Sequence, residues 1–457
     1  MSVSRTLMQT GALALSLLAT SVMAKVSPDE AAQLGVSLTP VGAEKAANAD
    51  GSIPEWTGGL PTNAGAVDGK GFLADPFATE QPLFTITAAN VEQYKDKLSA
   101  GQLAMFKRYP DTYKMPVYPT HRSAAVPDAV YAAAKTSALN TEGVDGGNGL
   151  TGFNDSRYYA FPLPKSGVEV VWNHTTRYRG GNIKRLMTRV QPQTDGAFSM
   201  IHFEDEVSYP GEMADQNMAK ADNILFYFIQ RVTAPSRLAG NVLLVHETID
   251  QVKEPRMAWL YNAGQRRVRR APQVSYDGPA TAADGLSTSD NYDMFNGAPD
   301  RYDWKLVGKK ELFIPYNSYK LDSPNLKYSD IIKAGHINPD VTRYELHRVW
   351  EVEAKLKAGE RHIYATRHMY FDEDSWQLAV VDHYDGRGTL WRVGEGHIQQ
   401  YYHKQVPGYT AETLYDVIGG RYSVLGLKNE EKRSIEFGYK TTASSYTPAA
   451  LRQAGVR

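Results

Sequence analysis

Histidines are the first residues to weigh for chemistry, because two on one strand face with a carboxylate would hold zinc or a similar ion. The chain has 11, and His202, His246, His347, His362, His368 and His383 all fall in strand-like stretches. None stands at metal-ligand spacing from another, so they read as hydrogen-bonded or surface histidines, and no metal is expected. The patterns that carry catalysis are missing as well. There is no G-x-S-x-G elbow, no H-E-x-x-H, no phosphate loop, and no S-x-x-K with its companion motifs. Gly146-Gly147-Asn148-Gly149 lacks the strand-to-helix setting of a phosphate cradle and reads as loop. Cysteine is absent, which removes thiol nucleophiles, thiolate metal sites and disulfides together. The expectation is a protein without catalytic residues or cofactor.

Charge is concentrated in two places. Arg266, Arg267, Arg269 and Arg270 follow Ala258-Trp259-Leu260-Tyr261, and the whole reads as a hairpin turning at Asn262 to Gln265. These arginines suit docking of an acidic partner or phosphate headgroups, or a solvated hairpin balanced by the acidic stretch Asp277 to Asp303; the second reading is favoured. That stretch holds Asp284, Asp290, Asp293 and Asp300. It does not match the register of a calcium loop, and suits an ordered surface loop paired to nearby arginines. Arg348 stands between Leu346 and Trp350 on the apolar side of a strand. An unpaired guanidinium there is unfavourable, so it pairs with a buried acid or meets a ligand carboxylate at a cavity mouth. Phe226, Phe228, Trp259, Trp350, Tyr364, Tyr370, Trp376 and Trp391 are core residues or walls of that cavity, and the sequence does not sort them.

The elements that position these residues are mostly strands. Strand-like runs occupy 183–191, 197–208, 223–233, 241–249, 256–261, 266–271, 343–356, 361–371, 375–384 and 389–393. The short gaps between them favour antiparallel neighbours. Asp372-Glu373-Asp374-Ser375 and Asp385-Gly386-Arg387-Gly388 are turns of a three-strand meander. Tyr344 to Leu356 separates into two faces at period two, one packed and one wet, whereas Ile224 to Ile229 is apolar throughout and needs cover on both sides. Helices are expected at Asn90 to Leu98, after the capping box Ser99-Ala100-Gly101-Gln102 up to Tyr109, at Pro127 to Lys135, and at Ala411 to Ile418. Asn140 to Ser156 reads as loop.

The ends and the composition bound the class. Met1 to Ala24 has Arg5, an apolar run from Gly11 to Leu18, and Val22-Met23-Ala24 before a cleavage point. This is an export signal, leaving a chain that starts at Lys25 in the periplasm. With 50 basic against 51 acidic residues, no nucleic-acid partner is expected. Four segments follow from this reading: the signal 1–24, an extended arm 25–82, a helical and loop segment 83–160, and a sheet body 161–457 with a C-terminal helix.

Ala258 to Tyr261 with Arg266 to Arg270, and the strand Tyr344 to Ala354 with the Asp372 and Asp385-Gly386 hairpins, resemble the LolA-like outer-membrane lipoprotein-sorting superfamily. The chain is more closely similar to a long periplasmic branch known only as a domain of unknown function. The matching phrases are Leu38 to Glu44, Trp172-Asn173-His174 with Arg177 to Gly180, Ser289 to Gly297 with Asp300 to Lys305, and Asp385 to Gly388. The resemblance implies a mainly β (α+β) fold, an incomplete antiparallel β-barrel with helices on its concave side. It also implies a hollow that shields a lipid or other hydrophobic ligand, and partnership with an inner-membrane exporter and an outer-membrane protein. A structural adaptor for such a system and an envelope hydrolase are the alternatives. LolA-like carriers are much shorter than this chain, so their cargo does not transfer with the fold.

Overall fold

Residues 26–153, 158–217 and 221–455 are described by a computed structural model. The export signal and its cleavage point before Lys25 lie outside the described residues. The strands are β1 (Phe84–Ile86), β2 (Met115–Val117), β3 (Glu142–Val144), β4 (Gly149–Thr151), β5 (Ile183–Pro192), β6 (Phe198–Ser208), β7 (Ile224–Ala234), β8 (Val242–Thr248) and β9 (Met257–Asn262). They continue with β10 (Arg267–Arg270), β11 (Tyr302–Pro315), β12 (Tyr344–Leu356), β13 (Thr366–Asp372), β14 (Leu378–Tyr384), β15 (Leu390–Tyr401), β16 (Val406–Asp416), β17 (Tyr422–Leu427) and β18 (Glu436–Phe437). Helices α1 (Pro28–Ala31), α2 (Ala100–Arg108), α3 (Asp128–Asn140) and α4 (Gly167–Thr176) precede the body of the sheet.

One sheet runs β10-β9-β8-β7-β6-β5-β17-β16-β15-β14-β13-β12-β11, every pair antiparallel. β2 joins β12 by a single parallel bridge and carries β1, while β18 extends β5. The end strands β10 and β11 are not paired with each other, so the sheet does not close into a barrel. The meander expected around Asp372 and Asp385 is β13-β14-β15.

The opening is plugged by α4, whose ten residues are all buried. Ser166 caps it, accepting from the Glu169 amide. Val170 and Val171 pack with Val352, Phe371, Leu378 and Val381 of one half of the sheet. Val168 and Trp172 pack with Ile183, Val207, Phe226, Phe228 and Val245 of the other. Gly167 lets the first turn approach β11, since a Cβ there would lie 2.9 Å from the Lys305 carbonyl carbon and 3.0 Å from that of Trp304. Nothing in the sequence periodicity had indicated this helix. The apolar run in β7 is covered on both sides. Phe226 and Phe228 face α4, while Tyr227 and Ile229 meet Met213, Tyr446 and Leu451 of the C-terminal segment.

Several expectations need correction. Ala411 to Ile418 is not a helix: residues 411–416 belong to β16, paired with β15 and β17 on either side. A short helix closes the described chain further on, at Ala450–Gly455. Asn90 to Leu98 forms two 3₁₀ turns, Val91–Gln93 and Lys95–Lys97. The Ser99–Gln102 capping box is present, heading α2, and the helix after Pro127 extends to Asn140. β3 and β4 make a hairpin inside the segment read as loop. The wet face of β12 is wet only at its far end. Glu345 and His347 are buried, because residues 117–122 and Asn317 lie over them, with Glu345 accepting from the His121 amide and Asn317 Nδ2.

Candidate functional site

The concave face of β5 to β9 is roofed by the irregular segment 271–301, which links β10 to β11 and contains only two 3₁₀ turns. Its aspartates hold it down. Asp290 Oδ2 accepts from Arg367 Nη2 at 2.5 Å and His362 Nε2 at 3.0 Å, and Oδ1 accepts from the Thr288 hydroxyl at 2.5 Å. Three residues on, Asp293 pairs with Arg177 through one oxygen and with Arg179 Nη2 at 2.7 Å through the other. Both carboxyls are held well below the usual range, the adjacent guanidiniums overcoming burial. His174 of α4 supports the second latch: its Nε2 donates to the Asp293 carbonyl at 2.9 Å, while Nδ1 accepts from the Leu378 amide at 3.1 Å. Burial, reinforced by Arg177, lowers this imidazole to about 3. It is neutral, and it links helix, sheet and roof.

Between roof and sheet lies a hollow of about 120 Å³. Its floor is Ile183, Val207, Phe226, Phe228, Leu243, Val245 and Leu260; its cover includes Val274, Pro279, Tyr292 and Asn296. Arg179, Arg185, Arg189 and Arg256 also reach it. Tyr292 closes one side, its ring centroid 5.0 Å from that of Phe228 and its hydroxyl donating to Asp205 Oδ2 at 3.0 Å. Arg185 Nη2 donates to the same hydroxyl at 2.5 Å. The arrangement is an apolar pocket with cations at its wall, suited to holding a guest and offering no nucleophile paired with a base. Two wider depressions, of about 600 and 650 Å³, lie elsewhere, one against arm residues 66–81 and the other beside Leu83 and Tyr94.

Of the aromatic and arginine cavity candidates, only Phe226 and Phe228 line this hollow. Trp259 lies on the opposite face of the sheet, its ring 4.8 Å from His246 with Arg270 over it. Arg348 is neutralised by Glu373 at 2.9 Å and donates to the Ala46 carbonyl at 2.6 Å, so the buried-acid reading describes it and the cavity-mouth reading does not. Trp350 stacks on Trp376, whose Nε1 donates to the Val41 carbonyl. Tyr364 stacks on His383 and accepts from Arg392. Tyr370 packs in the large core around β12 to β17, and Trp391 Nε1 donates to Asp416. Each is placed by core packing or by a partner of its own.

Arg266, Arg267, Arg269 and Arg270 form the expected hairpin, all exposed on edge strand β10 and its turn. The acidic stretch does not balance them. Its buried aspartates pair with Arg177, Arg179 and Arg367 instead, and among the described residues no ion pair engages the four. The lining arginines escaped the sequence reading, although Ile183, Arg185, Met187, Arg189 and Gln191 alternate on one face of β5 and carry the signal. One group of metal-ligating type converges among the described residues, His347, Asp372 and Asp374, within 4.8 Å. Asp374 is already bound by Arg122 through both oxygens, at 2.9 and 2.6 Å, and His347 Nε2 by Glu345 at 3.1 Å.

Residues 85–452 match the family model described as "Protein of unknown function (DUF1329)". The chain belongs to this family. An uncharacterized protein of Pseudomonas aeruginosa is 69% identical over 457 residues, covering 100% of both chains. Among solved structures, a DUF1329 family protein from Desulfovibrio piger is similar at 14% identity and a TM-score of 0.42, over 62% of this chain and 95% of that one. A LolA superfamily protein from Nitrosomonas europaea is similar at 10% identity and a TM-score of 0.37, over 62% of this chain and 98% of that one. No helix among the described residues is long and apolar enough to cross a membrane.

Proposed function

We propose that this DUF1329 protein is a periplasmic binding and carrier protein for a lipid or other hydrophobic guest, held between the open sheet and its roof. The observation that carries this is the hollow itself: an apolar floor on β5 to β9 beneath a segment anchored by side-chain ion pairs of Asp284, Asp290 and Asp293 rather than by a strand or helix. Burial of a guest chain there contributes roughly 0.8 kcal/mol per methylene, so tight binding needs few polar contacts. The reading of residues 1–24 as an export signal supports a periplasmic setting, and the exposed arginine hairpin offers an exporter or outer-membrane partner a surface of one sign. The test is native mass spectrometry of protein purified from its own periplasm, before and after mild organic extraction. A bound mass of lipid size that leaves on extraction is expected. An identical mass in both samples, together with no uptake of a fluorescent acyl probe, would remove the carrier and leave the adaptor.

A further inference from the structure

Four arginines reach the hollow, and three have an acid. Arg179 is held by Asp293 at 2.7 Å, Arg256 by Glu247 at 2.7 Å, and Arg185 by Asp205 at 3.4 Å with the Tyr292 hydroxyl between them. Arg189 is different. It is 5% exposed, its Nη1 donates to the Thr281 carbonyl at 2.8 Å, and its Nε has no acceptor. Among the described residues no carboxylate forms an ion pair with it. The nearest acidic influences are Glu412 and Asp205. The Glu412 carboxyl is pushed up to about 7 by burial and by Asp293, and Asp205 is raised by burial and shared with Arg185 and Tyr292. Burial lowers Arg189 to about 10, which leaves it charged at neutral pH. A protonated guanidinium thus stands in a dry wall with donor capacity unfilled, an arrangement unfavourable to the empty protein.

Arg189 also borders a second, smaller void of about 30 Å³, whose walls mix Ser287, His383 and Glu412 with Met294, Val381 and Leu414. Both ring nitrogens of His383 lack a partner. At Arg189, therefore, the apolar hollow meets a second void, of mixed lining and too small for a bulky headgroup.

We propose that Arg189 anchors the carboxylate of a single-chain amphiphile, a fatty acid, whose alkyl chain lies over Phe226, Phe228, Leu243 and Val245. This rests on the carrier reading and narrows it to a guest class. A carboxylate accepts in the plane of a guanidinium edge and supplies the single negative charge missing here. A phosphate dianion is disfavoured by the size of the void.

The experiment uses the full chain after delipidation, with cis-parinaric acid and its methyl ester as fluorescent probes at pH 7.5. The acid is expected to bind about tenfold tighter than the ester or better, the advantage of a charge-assisted pair over a neutral ester. In Arg189→Met the ratio of acid to ester affinity falls to about one, and Arg189→Lys, which keeps the charge but loses the planar fork, retains part of the preference. Without ligand, Arg189→Met melts above the parent protein, because an unneutralised buried charge has gone. Equal binding of acid and ester by the parent, or an Arg189→Met variant that keeps the preference, overturns the anchor while leaving a carrier. Binding of neither probe overturns the fatty-acid assignment, and together with an unchanged native mass it overturns the carrier itself. Should the Met variant fail to fold, the parent's acid-to-ester ratio and the Lys variant decide the question.

Discussion

Asp290 and Asp293 are separated by two residues in an irregular segment, yet each holds a different part of the molecule, Arg367 of β13 and the Arg177–Arg179 pair beyond α4. Their carboxyls are depressed by those guanidiniums, so their contribution is present above the unfolded value near 3.8 and is lost as pH falls below it. Asp293→Ala leaves two arginines facing each other without an anion and is expected to destabilise by about 3–5 kcal/mol in urea unfolding at pH 7. Glu395 has the opposite sign. Buried, and accepting from Gln102 Nε2 and the Tyr344 hydroxyl, it is pushed up to about 7. Its favourable contribution is complete below the unfolded value near 4.5 and is lost as pH rises through 7. Glu395→Gln is therefore expected to melt above the parent at pH 8, with the gap closing by pH 5; a gap independent of pH would contradict the raised carboxyl. At this scale the sequence was informative where a residue's type clashed with its neighbours. Arg348 among apolar side chains called for a buried acid or a ligand carboxylate, and Glu373 is the acid. Asp290 and Asp293 gave no such clue, because their partners lie 77 and more than 110 residues away in the chain.

Elements were legible where turn residues bracket a run of strand formers, even when both faces are covered as in β7 and β14. The turns around Asp372 and Asp385 follow from Asp and Asp-Gly chemistry. β16 misled because Ala411, Leu414, Tyr415 and Ile418 fall at helical spacing, while Glu412 faces inward beside Met294, whose amide it accepts at 2.8 Å. With both faces buried, the polar marker that would have exposed period two is gone. α4 is the reverse case, a helix rich in valine and buried all round, so no amphipathic stripe betrays it. β11 was missed because its first half is a charged edge interrupted at Gly308, where the register to β12 shifts. The tight seat of α4 on β11 makes a test of this element. Gly167→Ala drives a Cβ against backbone that cannot rotate away and is expected to lose about 1–3 kcal/mol by urea unfolding. Gly386→Ala, in a turn where a Cβ meets nothing within 4 Å, should stay within about 0.5 kcal/mol of the parent.

At the scale of the whole molecule, size decides what binding requires. The hollow is about 120 Å³, whereas pockets for small molecules run from about 300 Å³ upward; a fatty-acyl chain does not fit without movement. The floor cannot supply that movement. β5 to β8 are hydrogen-bonded on both sides, and β7 is packed on both faces. The roof is the part able to move, since segment 271–301 has little regular structure and is held by side-chain contacts, the ion pairs of Asp284, Asp290 and Asp293 and bonds such as Arg189 to the Thr281 carbonyl. On the carrier reading, a guest is expected to enter by the roof lifting while the sheet keeps its shape, the less stable part moving. Hydrogen exchange followed by mass spectrometry checks this directly. In the empty protein, amides of 274–296 are expected to exchange faster than those of β5 to β8, and saturating fatty acid should slow them while leaving β13 to β15 as they were. Asp293→Asn, which weakens one latch, should speed both the exchange of 274–296 and the uptake of parinaric acid. Uptake with no change in this segment, or protection spread evenly over the sheet, would mean that the guest enters by another route and that the latches only hold the fold together.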